Sequence, residues 1–108
     1  MFAQLVEGGA SPDLRAEMDR IVHQEMLPAL QREPGYAGAL DLFDRETGNA
    51  MMITLWNTQA QAELPIRERD EAFLRTLGSI AAISSGQRSP ISVWEVNAIE
   101  HVDPTNHT

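Results

Sequence analysis

The chain has 108 residues, 43% of them hydrophobic, no cysteine, and a net charge of -8 from 16 acids against 8 bases. This length and composition describe one globular domain with a single core, and the missing cysteine excludes disulfides, thiolate metal sites and a thiol nucleophile. Every base is arginine and none forms a basic stripe, so neither nucleic acid nor an anionic membrane surface is an expected partner.

No apolar run is long enough for a transmembrane helix. The opening residues, Phe2 to Val6 followed by Glu7, lack the basic start and long apolar region of a secretory signal. A soluble cytoplasmic protein is therefore expected.

Residues 2 to 7 predict a strand, which Gly8, Gly9 and Ala10 break. Ser11 and Pro12 then start a helix, with Asp13 in its first turn. Leu14, Met18, Ile21 and Val22, continued by Ala29, form its apolar stripe. Pro28 removes a backbone donor and predicts a kink near Gln24. Pro34 and Gly35 end the helix, and Glu33 is pushed out of helical geometry by the proline that follows it.

A hairpin follows, from Pro34 to Asn57, turning at Asp44-Arg45-Glu46-Thr47-Gly48. Both of its strands are apolar on both faces. Met51, Ile53 and Leu55 point one way, and Met52, Thr54 and Trp56 the other. Leu40 and Leu42 share a face, with Ala37, Ala39 and Phe43 mostly opposite. Thr58 and Gln61 predict a capping box for a short helix that breaks at Pro65. A second helix is expected from about Ile66, carrying Phe73, Leu74, Leu77, Ile80 and Ala81, with Gly78 weakening its later part. Ser84 to Pro90 reads as a loop and Ile91 to Glu100 as a last strand. The polar stretch from residue 103 to 108 predicts a mobile tail, leaving 1 to 102 as the domain.

The order is β-α-β-β-α-β, a ferredoxin-like α+β fold with an antiparallel sheet. The helices of so short a chain cover one sheet face. The apolar character of the other predicts a homodimer through the sheets, because monomers rarely expose so large a patch.

The run Pro34-Gly35-Tyr36-x-Gly38, the turn Asp44-Arg45-x-x-Gly48, the strand end Thr54-Leu55-Trp56-Asn57-Thr58 and the final Trp94-Glu95-Val96 carry a resemblance. Across residues 2 to 99 the chain resembles the antibiotic biosynthesis monooxygenase-like (ABM) domains. The resemblance implies a dimeric α+β barrel. Some members of that family are oxygenases needing no metal or organic cofactor, which hold quinols or polyketide-derived phenols between helices and sheet. Others degrade haem, and many have no known activity. Trp56 matches the tryptophan that ends the third strand. Gln4 is the nearest match to the first-strand asparagine of the haem-degrading members. The tryptophan and histidine those members carry after the third strand have no counterpart around Pro65, which argues against haem degradation.

Trp56, Asn57, Tyr36 and Gln4 are the candidate substrate-binding residues. An indole beside an amide suits an aromatic ligand, and equally suits a core residue next to a turn. Tyr36 offers a hydrogen bond to a substrate oxygen, or an aromatic contact at a helix or dimer interface. Gln4, like Asn97, is an amide among apolar strand neighbours, which must meet backbone or line a cavity. Met18, Met26, Met51 and Met52 suit either a soft pocket wall or gap-filling. His23 falls off the apolar stripe, and His101 and His107 match no metal motif. Glu95 is read as an edge residue or a salt-bridge partner rather than a buried base. No catalytic residue is assigned and no metal or cofactor is expected. The function read from these residues is a cofactor-independent monooxygenase for a small aromatic substrate; the alternative is a non-catalytic small-molecule-binding or stress-associated dimer.

Overall fold

The computed structural model describes residues 1–9, 12–64, 68–83 and 91–100. The Ser11 cap, the break at Pro65, the helix start at Ile66, the loop from Ser84 and the tail lie outside the described residues.

The elements are β1 (Phe2–Gly9), a 3-10 turn (Pro12–Leu14), α1 (Arg15–Ile21), a π-helical turn (Val22–Met26), α2 (Leu27–Leu30), β2 (Tyr36–Phe43), β3 (Asn49–Trp56), α3 (Gln59–Ala62), α4 (Glu71–Ile83) and β4 (Ser92–Glu95). The strands form one antiparallel sheet in the order β2-β3-β1-β4. This is the expected ferredoxin-like α+β fold, with the helices on one face. The strand β1 extends to Gly9, two residues past the predicted end, because its pairing with β3 continues to Gly9 opposite Asn49.

The kink expected near Gln24 takes a definite form. A π turn spans Val22–Met26, immediately before Pro28. Proline has no N–H for the carbonyl four residues back, and widening the preceding turn is one way a helix absorbs that loss. The stripe survives the change: Ile21, Val22, Met26, Ala29 and Leu30 are all buried. The helix also grips the β2 edge. Arg15 sits over the Phe43 ring at 3.6 Å and pairs with Asp19 at 3.0 Å.

The hairpin turn and the capping box are present as predicted. Asp44 Oδ1 accepts from the backbone N–H of Glu46 at 2.9 Å, and Gly48 adopts φ 81°. The Thr58 hydroxyl accepts from Gln61 N at 3.2 Å, and the Gln61 side chain accepts from Thr58 N at 3.2 Å. The later helix starts at Glu71, where Asp70 Oδ1 accepts from Ala72 N at 2.8 Å and so caps it.

The last strand is shorter than predicted. It ends at Glu95, opposite Phe2, with one further bond from Val96 N to the Met1 carbonyl at 2.9 Å. Asn97, Ala98 and Ile99 are exposed, non-strand positions.

Pairing register sorts the side chains by face. Rows across the helix-covered face read Glu95–Phe2–Trp56–Tyr36, then Val93–Gln4–Thr54–Ala39. A bulge between Tyr36 and Gly38 lets both β2 residues, Tyr36 and Ala39, keep that face. The opposite face carries Ala3, Leu5, Met51, Ile53, Leu55, Leu40, Leu42 and Trp94. Leu40, Leu42 and Trp94 are 52%, 48% and 60% exposed there.

Gly35 joins two of these features. Its φ is 80°, and a Cβ there would run into the Gln61 side chain that closes the capping box. Gly35→Ala is therefore expected to cost about 2–4 kcal/mol, the left-handed strain plus the lost cap. Gly48→Ala, with the same φ problem in the hairpin turn, should cost about 1–2 kcal/mol. Urea denaturation of both variants checks the difference; equal losses would mean that the capping box does not depend on Gly35.

Candidate functional site

The four candidate residues sit at one end of the sheet, where β1, β2 and β3 run side by side beneath α3 and the start of α4. Three of them share the helix-covered face. Trp56 is wholly buried, at 0% exposure, within a core that includes Met26, Leu30, Ala62 and Phe73. Its indole Nε1–H donates to Thr54 Oγ1 at 2.8 Å. The Thr54 hydroxyl donates onward to Gln4 Oε1 at 3.4 Å, and Gln4 Nε2 donates to the Ala62 carbonyl at 3.0 Å. Alternation in β3 puts Thr54 and Trp56 on one face, and the β1–β3 register sets Gln4 directly opposite Thr54. A relay of three buried polar side chains thus runs from the indole to the last residue of α3.

Tyr36 meets Trp56 edge to face, with ring centroids 5.7 Å apart and planes at 69°. Burial raises its phenol above the usual tyrosine range. At neutral pH it therefore stays protonated and is not a base. Asn57 does not join the cluster. Its side chain is exposed, and its backbone N–H donates to the Gly35 carbonyl at 2.9 Å, holding the end of β3 to the start of β2. Glu95 is exposed at the edge, and Trp94 lies on the opposite sheet face with its indole N–H donating to Ser92 Oγ at 3.0 Å. Met18, Met26 and Met52 pack in or against the core, while Met51 faces the other way.

Two charged residues that sequence reasoning passed over complete the site. The Arg69 guanidinium lies over the Trp56 ring at 4.2 Å and 6.0 Å from the Phe73 ring. Its Nη1 stands 3.8 Å from Glu33 Oε2, and the two side chains are only 2% and 3% exposed. Arg69 Nη2 donates to the Gln61 carbonyl at 3.0 Å. Glu33 Oε1 accepts from the Asp70 N–H at 2.8 Å. Burial lowers the basicity of Arg69, partly offset by Glu33. Both residues had ordinary local explanations, Glu33 as a helix end before proline and Arg69 as one arginine in an alternating charged run.

Among the described residues no group of three or more histidine, cysteine, aspartate or glutamate side chains is placed to hold a metal ion. Nor is any helix among them long and apolar enough to cross a membrane.

The energetics of the buried pair are testable. Removing one member leaves an uncompensated charge, at a cost of about 3–5 kcal/mol, whereas replacing both with apolar residues of similar volume costs little. Glu33→Ala should therefore destabilise the protein more than the Glu33→Met/Arg69→Met double variant does, as measured by chemical denaturation. A double variant at least as damaged as Glu33→Ala would show that the charges are not coupled.

No family model matches the chain, and no curated protein is similar to it in sequence. Solved structures are similar in fold. A candidate antibiotic biosynthesis monooxygenase from Bordetella bronchiseptica superposes with a TM-score of 0.74 at 13% identity, over 90% of this chain and 97% of that one. A second protein so named, from Nitrosomonas europaea, gives 0.71 at 13% identity over 91% and 100%. SnoaB, a cofactor-independent oxygenase from Streptomyces nogalater, gives 0.68 at 14% identity over 91% and 94%. At these identities the likeness is one of architecture, and in architecture this chain has the ferredoxin-like α+β fold of the antibiotic biosynthesis monooxygenase-like domains.

Proposed function

We propose that the protein is a cofactor-independent oxygenase, working as a homodimer on a small electron-rich aromatic substrate of quinol or polyketide-like phenol type. The observation that carries this reading is the polar set at one end of the helix–sheet interior. Gln4, Thr54, the Trp56 N–H, Tyr36 and Arg69 with its counter-ion Glu33 converge there, inside a layer that is mostly apolar. Sites for small aromatic molecules have this composition, mostly apolar walls with a few directed polar groups. The fold shared with SnoaB supports the same class of chemistry.

Such a reaction needs a substrate that reduces oxygen itself. In the simplest case a phenol with an unsubstituted para carbon becomes a quinone. The ring C–H, the phenol O–H and the O–O bond break, one oxygen atom becomes the new carbonyl, and the other leaves as water with both hydrogens. All four electrons come from the ring. The part of the protein is to orient the phenol and favour its ionised form. Tyr36 is suited to hydrogen-bond a substrate oxygen, and Trp56 to form an apolar wall.

A second reading has its own support. The polar atoms of Gln4, Thr54 and Trp56 satisfy one another, which is what a finished core requires, and the chain has no histidine between His23 and His101. A dimer that binds a small molecule without transforming it fits those facts. Oxygen-electrode measurements with a panel of naphthoquinols and phenols decide between them. The oxygenase reading expects enzyme-dependent uptake of one oxygen per quinone formed, and binding without uptake would establish the second.

The dimer is supported by the outer sheet face, where Leu40, Leu42 and Trp94 lie beside Ile53 and Leu55. Sedimentation should give a dimer at micromolar concentration, and Leu42→Asp or Ile53→Asp should split or unfold it. A compact wild-type monomer would refute this.

A further inference from the structure

Where α1 meets β2, two carboxylates face one guanidinium. Arg15 pairs with Asp19 at 3.0 Å, one turn along the helix, and covers the Phe43 ring at 3.6 Å. Asp41 precedes Phe43 by two positions in β2, so it lies on the same, helix-covered face, roughly 6.5 Å along the strand. His23 joins from the π-helical turn, where its Nδ1–H donates to the Asp19 carbonyl at 2.8 Å. From β3 the residue opposite Asp41 is Met52, which carries no charge.

We propose that Asp41 and the Arg15–Asp19 pair form a proton-responsive latch between α1 and β2, looser when Asp41 is ionised and tighter when it holds a proton. What the latch fastens is a wall of the interior. The helix α1 runs directly into the turn whose Val22 and Met26 pack in the core with Trp56. The device is independent of what that interior binds.

The charge count supports this. One positive charge, on Arg15, faces two negative ones, and Asp19 is the acid that it holds at 3.0 Å. Asp41 brings the second negative charge to a contact already neutralised. Its outer side stays exposed, yet neighbouring chain withdraws enough water to matter. That burial raises its carboxyl above the usual aspartate range; Arg15 opposes the rise, Asp19 adds to it and His23 opposes it. A carboxyl raised in the folded state favours folding below its unfolded value, and the advantage is lost as pH rises through the folded value. The ionised form is therefore the less stable one, and the helix–strand contact is where its charge is felt. The fold also has a use for this charge. The strand β2 is an edge of the sheet, and an inward-facing charge on an edge strand discourages pairing with another chain.

Thermal melting and amide hydrogen exchange test the latch, with variants compared at one pH so that intrinsic exchange rates cancel. At pH 7 Asp41→Asn should melt above the wild type, and its amides across Arg15–Ile21 should exchange about twofold more slowly. Both differences should shrink towards zero below about pH 4, where the wild-type carboxyl holds its proton and resembles the amide. The gain from Asp41→Asn should be smaller in an Asp19→Asn background, which has lost the repelling charge, and larger in an Arg15→Gln background, which has lost the compensating one. Circular dichroism establishes that each variant is folded. An Asp41→Asn variant that melts at or below the wild type at pH 7, a gain that persists undiminished in acid, exchange in α1 no slower than in the wild type, or the same gain in all three backgrounds overturns the proposal.

Discussion

The arrangement of this domain depends on one buried contact, the Arg69 guanidinium lying on the Trp56 ring with Glu33 beside it. Three separate pieces of chain meet there. Glu33 comes from the end of the first helical run, Arg69 from the lead into α4, and Trp56 from the last position of β3. The Glu33 carboxylate reaches 37 positions along the chain to accept from Asp70, which then caps α4. The Arg69 guanidinium reaches back to the α3 carbonyl of Gln61, whose side chain closes the capping box on Thr58. A charge pair in such a place is poor evidence of stability, since desolvation offsets much of the attraction. What the pair does is tie three segments together: Glu33 binds the Asp70 N–H, and Arg69 covers the indole and binds the Gln61 carbonyl.

The sheet supplies the other constraint. Side chains alternate faces with a period of two, so a register of one residue either way would send Trp56 and Thr54 out and Ile53 and Leu55 in. The relay from Trp56 through Thr54 to Gln4 is compatible with the observed register alone, because it needs Gln4 directly opposite Thr54. Polar satisfaction in the core thus reinforces what hydrophobic burial already favours. The bulge between Tyr36 and Gly38 shifts the β2 edge just enough to keep Tyr36 against the indole.

Much of this was legible in the sequence, and the limits have physical causes. Elements governed by neighbours a few residues apart were readable: the Thr58–Gln61 capping box, the Asp44–Gly48 turn, the alternation of β3 and the disturbance before Pro28. From those the fold follows. The end of β4 was not readable, because it is set by pairing with β1, last made between Glu95 and Phe2, and not by the apolar run through Ile99. Within the candidate site, Trp56 and Tyr36 stood out as aromatics able to meet a ligand and Gln4 as an amide among apolar strand neighbours, and the structure brings them to one face. Asn57 stood out as an amide beside that indole, but its contact is made by the backbone. Glu33 and Arg69 did not stand out, since a charged residue beside a proline or in a charged run is locally unremarkable. Their role exists only through contacts between segments far apart in the chain.

The two faces of the sheet also divide the functional question. One face is largely apolar, with Glu7 and Ser92 among its aliphatic side chains and Trp94, and what it offers is exposed apolar area. On the other, each polar group is placed by a different element, Gln4 by β1, Thr54 by β3, Tyr36 by the bulged start of β2 and Arg69 by the approach to α4. A core needs no such convergence in order to be stable; aliphatic residues at those positions would satisfy packing with no polar atoms to pair. The relay among Gln4, Thr54 and Trp56 is closed on itself, which suits a structural part. Arg69 differs from that relay in carrying a full charge, with Glu33 as its counter-ion at 3.8 Å and a hydrogen bond to the Gln61 carbonyl.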